Sequence, residues 1–162
     1  MPSEYAETGA LTLRAYTLDN LLDDDSDYAR ELSDAGRRAE HAALLVAVDD
    51  ADQVVGTVTF CLPGSPYAEL SREGQAEFRM LAVAPEMRGH GIGERLVRAC
   101  LARAAECGCT SVVISTRPQM ISAHRIYHRL AFERTPELDW TPEPGIELIA
   151  YTRTLSSKAD AS

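Results

Sequence analysis

Apolar positions along the chain follow two periods, and the switches between them predict an alternation of strands and helices. "ALTLRAYT" (Ala10 to Thr17) alternates enough to predict a first strand, and Asp19 to His41 then reads as one or two polar helices with Leu21, Leu22, Tyr28 and Leu32 on the apolar side. Two β-branched runs, "AALLVAVDD" and "DQVVGTVTFCL", are joined by Asp49 to Asp52 and predict a hairpin within a central sheet. Pro63 to Gln75, with two prolines and two glycines, predicts a long loop with room for a helical turn at Ala68 to Arg72. A strand at Glu77 to Ala84 leads through a glycine-rich turn into a helix from Gly91 to Cys107. That helix lines up Ile92, Leu96, Cys100 and Ala104, with Val97 and Leu101 beside them. "TSVVIST" (Thr110 to Thr116) is the next strand, and a strand-helix-strand unit of this length predicts a right-handed parallel crossover. A second helix at Ile121 to Leu130 presents Ala123, Ile126, Tyr127 and Leu130 at helical spacing. Strands at Phe132 to Leu138 and Ile146 to Leu155 complete the pattern, separated by "DWTPEPG", whose two prolines are expected to forbid regular pairing.

Composition narrows the class. A chain of 162 residues, 45% hydrophobic and 25% charged, reads as one globular domain over residues 10–155, with residues 1–9 and 156–162 expected to be flexible ends. Sixteen Lys and Arg against 25 Asp and Glu give a net charge of -9, which argues against nucleic acid and favours a cationic small molecule or basic peptide as partner. No membrane span or signal peptide is legible, so a cytoplasmic location is expected. Cys61, Cys100, Cys107 and Cys109 lack zinc-ligand spacing and read as reduced structural thiols, and no metal is expected.

The chemistry concentrates in "VAPEMRGHGIGERL" (Val83 to Leu96), where three of ten glycines, Gly89, Gly91 and Gly93, alternate just ahead of a helix. At a strand end and helix start, unpaired N-H groups and the positive end of the helix dipole converge into an anion site wherever side chains leave room. Arg88 adds a cation, so a diphosphate is the natural ligand, whereas the plainer reading is a tight turn that needs positive φ. The spacing G-x-G-x-G differs from the dinucleotide pattern G-x-G-x-x-G, and the region has no P-loop lysine.

Glu77 to Gly108, "EFRMLAVAPEMRGHGIGERLVRACLARAAECG", resembles the central motif of the GNAT superfamily of N-acetyltransferases through Leu81, Val83, Pro85, Arg88, Gly89, Gly91, Ile92, Gly93 and Leu96. "ISAHRIYHRLAF" resembles the family's second motif through Ala123, Tyr127 and Phe132, with Met120 standing where relatives often have Asn and Ala131 where they have Gly. The resemblance implies an α/β (α+β) fold with a mixed, mostly antiparallel central sheet flanked by helices. It further implies acetyl-CoA as acyl donor, a primary amine as acceptor, and direct attack in a ternary complex. Under it, the backbone of Leu81, Ala82 and Val83 pairs with the pantetheine arm, and the amides of Arg88, Gly89, His90, Gly91, Ile92, Gly93 and Glu94 hold the pyrophosphate, with Ala123 and Tyr127 also at the cofactor. A homodimer is compatible with the family, and no interface is legible.

Such a reaction needs an unprotonated amine, an oxyanion donor and a proton for the leaving thiolate. Alternation along the strand puts Glu77, Arg79, Leu81 and Val83 on one face and Phe78, Met80 and Ala82 on the other. The resemblance implies Glu77 as general base, the alternative being a strand-end carboxylate that is solvated or paired with Arg79. It also implies Tyr127 as general acid at the CoA sulfur, although periodicity alone makes Tyr127 a core residue, and the backbone N-H of Leu81 or a neighbour as oxyanion donor. His90, His124 and His128 read as solvated or packing histidines. By position, Asp19 to His41, the loop around Tyr67 and the "DWTPEPG" segment with Trp140 are candidates for acceptor recognition, and Asp23, Asp24 and Asp25 read as a solvated charge run. A non-catalytic acyl-CoA sensor of the same fold is the alternative to an enzyme.

Overall fold

β1 (Ala43–Val48) and β2 (Val54–Cys61) form the expected hairpin in the computed structural model, which describes residues 5–12, 34–37, 42–65, 68, 70–118 and 120–155. The strands pair antiparallel from Ala43↔Phe60 to Val48↔Val54. Their connection is held by Asp49, whose Oδ1 accepts the N-H groups of Ala51 at 2.9 Å and Gln53 at 3.0 Å, the local bonding that makes Asp a turn residue. In order across the sheet the strands run β1-β2-β3-β4-β7-β5, with β6 on β7: β3 is Gln75–Val83, β4 Ser111–Thr116, β5 Glu133–Arg134, β6 Trp140–Glu143 and β7 Ile146–Thr154. After β3 comes helix α1 (Ile92–Glu106) and after β4 helix α2 (Ile121–Arg129). Every strand pairing given below is antiparallel except β3 with β4, so the sheet is mixed and mostly antiparallel, as expected.

The chain packs as two compact units, residues 1–60 with 80–97 and residues 61–79 with 98–162, and both β3 and α1 contribute to each. In the first unit every residue of β2 is buried, the pattern of a strand covered on both faces. Gly56 belongs there because α1 comes close: a Cβ at this position would lie 2.7 Å from Ile92 Cγ2 and 3.0 Å from Leu96 Cδ1. Residues 5–12 are helical, so the start of the strand expected over Ala10 to Thr17 is helix instead, while residues 1–4 and 13–17 lie outside the described residues. Thr8, Leu11 and Thr12 are buried at helical spacing, the Thr12 hydroxyl donates to the Thr8 carbonyl at 2.8 Å, and Glu7 Oε1 accepts the Val54 N-H at 2.9 Å. Short alternation cannot distinguish a strand from a helix whose buried face is this narrow. Most of the Asp19 to His41 segment lies outside the described residues. Within it, a helical turn at 35–37 is capped by Asp34, whose Oδ1 accepts the Arg37 N-H at 3.0 Å.

In the second unit β3 and β4 pair parallel through Gln75↔Ser111, Ala76↔Val112 and Glu77↔Val113, and β4 pairs antiparallel with β7 from Ser111↔Thr154 to Thr116↔Ile149. The strand expected over Phe132 to Leu138 shortens to Glu133–Arg134, antiparallel to β7, because Pro136 opens a 3-10 turn instead. Asp139 seals that turn, binding the Arg134 guanidinium through two bonds of 2.5 and 2.6 Å and accepting the Ala150 N-H at 2.9 Å. "DWTPEPG" pairs after all: Trp140↔Leu148 and Glu143↔Ile146 flank a two-residue turn, Pro144-Gly145, with Gly145 at φ +86°. Pro followed by a positive-φ Gly is the signature of a type II turn, so these residues build a hairpin rather than prevent one. The six apolar positions predicted on α1, Ile92, Leu96, Val97, Cys100, Leu101 and Ala104, are all buried. No helix among the described residues is long and apolar enough to cross a membrane.

Candidate functional site

The glycine turn lies wholly within the first unit. Ala84 donates its N-H to the Val55 carbonyl at 2.8 Å, anchoring the end of β3, and Pro85–Met87 make a 3-10 turn. Gly89 (φ +86°) and Gly91 (φ +76°) then take left-handed conformations, and a Cβ at either would meet nothing within 4 Å. These two glycines therefore serve chain direction and leave open space above the backbone. Gly93 differs: it is a helical residue, buried in the first turn of α1. The first intrahelical bond runs from Arg95 N to Gly91 O at 3.1 Å, so the amides of Ile92 and Gly93 precede the helix's own hydrogen-bond ladder. Arg88 and His90 are exposed beside this opening, and His90 Nδ1 lies 3.0 Å from the Met87 carbonyl. The arrangement is a helix N-terminus with its positive end accessible, the local geometry that holds phosphate oxygens.

Approaching the turn, Leu81 and Val83 are half-buried and Ala82 is buried, as alternation predicts. The single face expected for Glu77, Arg79, Leu81 and Val83 does not hold. Glu77 is completely buried whereas the other three are half-buried, and Met80 between them sits at φ +57°, a left-handed residue that interrupts the two-residue period. Glu77 is not a solvated strand end. Its Oε1 accepts the main-chain N-H groups of Leu70 at 2.9 Å and Ser71 at 3.0 Å, contacts that no spacing rule in the sequence signals.

Tyr127 lies in the second unit within a cluster of rings: Phe78 at 6.0 Å, Phe132 at 5.5 Å and Tyr151 at 5.8 Å between centroids. Burial, reinforced by the Cys100 thiol and the Tyr151 phenol, pushes its pKa well above the usual tyrosine value, so the phenol is a neutral O-H donor throughout the physiological range. Ala123, one turn earlier on α2, is half-buried. Met120 begins the helix without a side-chain cap, and its sulfur accepts the Thr116 hydroxyl at 3.6 Å. His124 packs on Tyr151 and has Nε2 3.1 Å from the Arg117 carbonyl; burial lowers its pKa, which keeps it neutral. Trp140 is anchored by its indole N-H to Ser115 Oγ at 3.3 Å. All four cysteines are free thiols, with Cys100 held protonated by burial, and among the described residues no group of His, Cys, Asp and Glu could hold a metal. Tyr67 and Asp23 to Asp25 lie outside the described residues.

Comparison with known proteins adds independent findings. The model of the acetyltransferase (GNAT) family matches residues 11–132. An uncharacterized N-acetyltransferase of Schizosaccharomyces pombe is 30% identical over 118 residues, 73% of this chain and 66% of that protein. Across the four curated relatives matched, the chain spans from 28% to 66% of their lengths. Among solved structures, a GNAT-family acetyltransferase from Staphylococcus aureus Mu50 superposes with a TM-score of 0.74 at 18% identity, covering 95% of this chain and 94% of that one. A Salmonella typhimurium protein solved with its cofactor acetyl-CoA gives 0.64 at 20% identity, over 94% and 90% of the two chains. At these identities the structural likeness concerns the fold.

Proposed function

The chain belongs to the acetyltransferase (GNAT) family, and from that premise we propose that it transfers an acetyl group from acetyl-CoA to the primary amine of an acceptor by direct attack. The observation that carries the cofactor reading is the pair Gly89 and Gly91, left-handed and open above the backbone at the start of α1. An anionic diphosphate fits there because the amides at the start of α1, those of Ile92 and Gly93, supply donors and the helix dipole supplies positive potential, whereas the Arg88 N-H already donates to the Pro85 carbonyl at 3.4 Å. Glu94 complements the same dipole from within the first turn.

When bound, acetyl-CoA supplies the activated acyl group as a thioester. The chain's part is to hold and to move protons. Leu81 to Val83 offer main-chain groups to the extended arm in the manner of an added strand, and the N-H of Leu81 stabilises the oxyanion as the amine adds to the carbonyl. An acceptor whose pKa lies near 10 is mostly protonated at neutral pH, so it first gives a proton to water and then attacks as the free amine. As the carbon-sulfur bond breaks, the Tyr127 phenol donates its proton to the thiolate and regains one as the adduct's nitrogen is deprotonated to the amide. Its cluster of rings keeps that proton in place until then.

Thermal unfolding with acetyl-CoA, with ATP and NAD as controls, tests the assignment. A specific ligand at a hundred times its dissociation constant adds about 2.7 kcal/mol, a shift of several degrees for a chain of this size. A shift with acetyl-CoA alone supports the reading and leads to a screen of lysine, spermidine and a peptide with a free N-terminus for release of free CoA. No shift, or an equal shift with ATP and NAD, overturns it.

A further inference from the structure

Exposure divides the four free thiols into two pairs. Cys61 and Cys100 are buried, whereas Cys107 is exposed and Cys109 half-buried, and the scheme above uses neither of the accessible two. Both stand at the C-terminal end of α1, separated by one residue, inside the second unit. The backbone there is fixed by three bonds: the Cys107 N-H donates to the Arg103 carbonyl, that of Gly108 to Ala105 and that of Cys109 to Ala104, each at 3.0 Å. Gly108, between the thiols, is left-handed at φ +77°. This is a Schellman end, in which the residue after the left-handed glycine folds back toward the last full turn of the helix. Cys109 therefore returns toward Ala104, and Cys107, three residues beyond Ala104, neighbours that same position on the helix surface. A left-handed helical turn spaces α-carbons two residues apart by about 5.4 Å, within the range of about 4.4–6.8 Å that a disulfide spans. Burial first, and the Cys107 thiol second, raise the pKa of Cys109, so the two sulfurs lie within electrostatic reach of each other.

We infer that Cys107 and Cys109 are a redox-modification site, which a small aliphatic disulfide such as oxidised glutathione converts into a reversible Cys107–Cys109 disulfide. The exposed Cys107 thiolate attacks one sulfur of the small disulfide, breaking its S-S bond and releasing one small thiol. The Cys109 thiolate then attacks the Cys107 sulfur of the mixed disulfide and releases the second. The protein pair gives up two electrons and two protons, and the small disulfide is reduced to two thiols. A ring closed over a single residue removes little chain entropy and remains open to solvent, so the bond is labile rather than a structural staple. The inference stands independently of the acetyltransferase reading, and its test needs no substrate.

The unmodified protein, Cys107→Ser and Cys109→Ser are each reduced, desalted and exposed to oxidised glutathione, then alkylated under denaturing conditions and followed by intact-mass and peptide mass spectrometry. Expected in the unmodified protein are a mass lower by two hydrogens before alkylation, two alkylated cysteines in place of four, a crosslink mapped to residues 107 and 109, and full recovery of four thiols with excess small thiol. Cys109→Ser should stop at a mixed disulfide on Cys107, and neither variant should lose two hydrogens. Four alkylated cysteines after exposure, a mixed disulfide that accumulates on the unmodified protein without closing, a crosslink between two chains, or one that involves Cys61 or Cys100 overturns the inference.

Discussion

Tyr127 shows how a residue can be both core and candidate acid. Its ring is packed among Phe78, Phe132 and Tyr151, and its buried O-H stays protonated. Tyr127→Phe keeps the ring contacts and deletes only the donor. Turnover should fall by about 10²-fold while acetyl-CoA affinity, measured by calorimetry, changes less than about twofold. Equal losses in both quantities would make the residue structural. The position of Tyr127 on the apolar stripe of α2 was legible from spacing. The environment of Glu77 was not, because its partners lie in an irregular loop six and seven residues upstream, where no period operates.

The two helices end alike, and the comparison isolates one residue. At the end of α1, Cys109 N bonds to Ala104 O at 3.0 Å and Gly108 N to Ala105 O at 3.0 Å, with Gly108 at φ +77°. At the end of α2, Phe132 N bonds to Tyr127 O at 2.9 Å and Ala131 N to His128 O at 3.2 Å, with Ala131 at φ +64°. Both are Schellman ends, and in α2 the accompanying apolar contact is that of Phe132 with Tyr127. A left-handed alanine costs about 1–2 kcal/mol, partly offset by the entropy that glycine loses on folding. Ala131→Gly should therefore stabilise the protein by about 0.5–1 kcal/mol in denaturant unfolding, and Gly108→Ala should destabilise it by a similar amount. A loss of stability in Ala131→Gly would mean that the alanine methyl contributes packing that outweighs its strain.

Taken as a whole, the molecule carries a net charge of -9, which makes a prediction for the proposed amine acceptor. A negative protein concentrates cations around itself, and salt screens that field over about 8 Å at physiological ionic strength. At saturating acetyl-CoA, raising NaCl from about 50 to about 500 mM should increase KM severalfold for spermidine and much less for an amine of single charge. Equal responses would show that the overall charge plays no part in acceptor capture. The sequence by itself determined the β1-β2 hairpin, the buried stripe of α1, the parallel β3-β4 step and the glycine turn, because periodicity and turn chemistry are carried by near neighbours. Only the tertiary structure decided that residues 5–12 are helical, that "DWTPEPG" forms a hairpin on β7, and that Glu77 is sealed beneath Leu70 and Ser71. Each of these depends on which distant or irregular segment satisfies a buried backbone or carboxylate group, and that partner is chosen by packing rather than by local pattern.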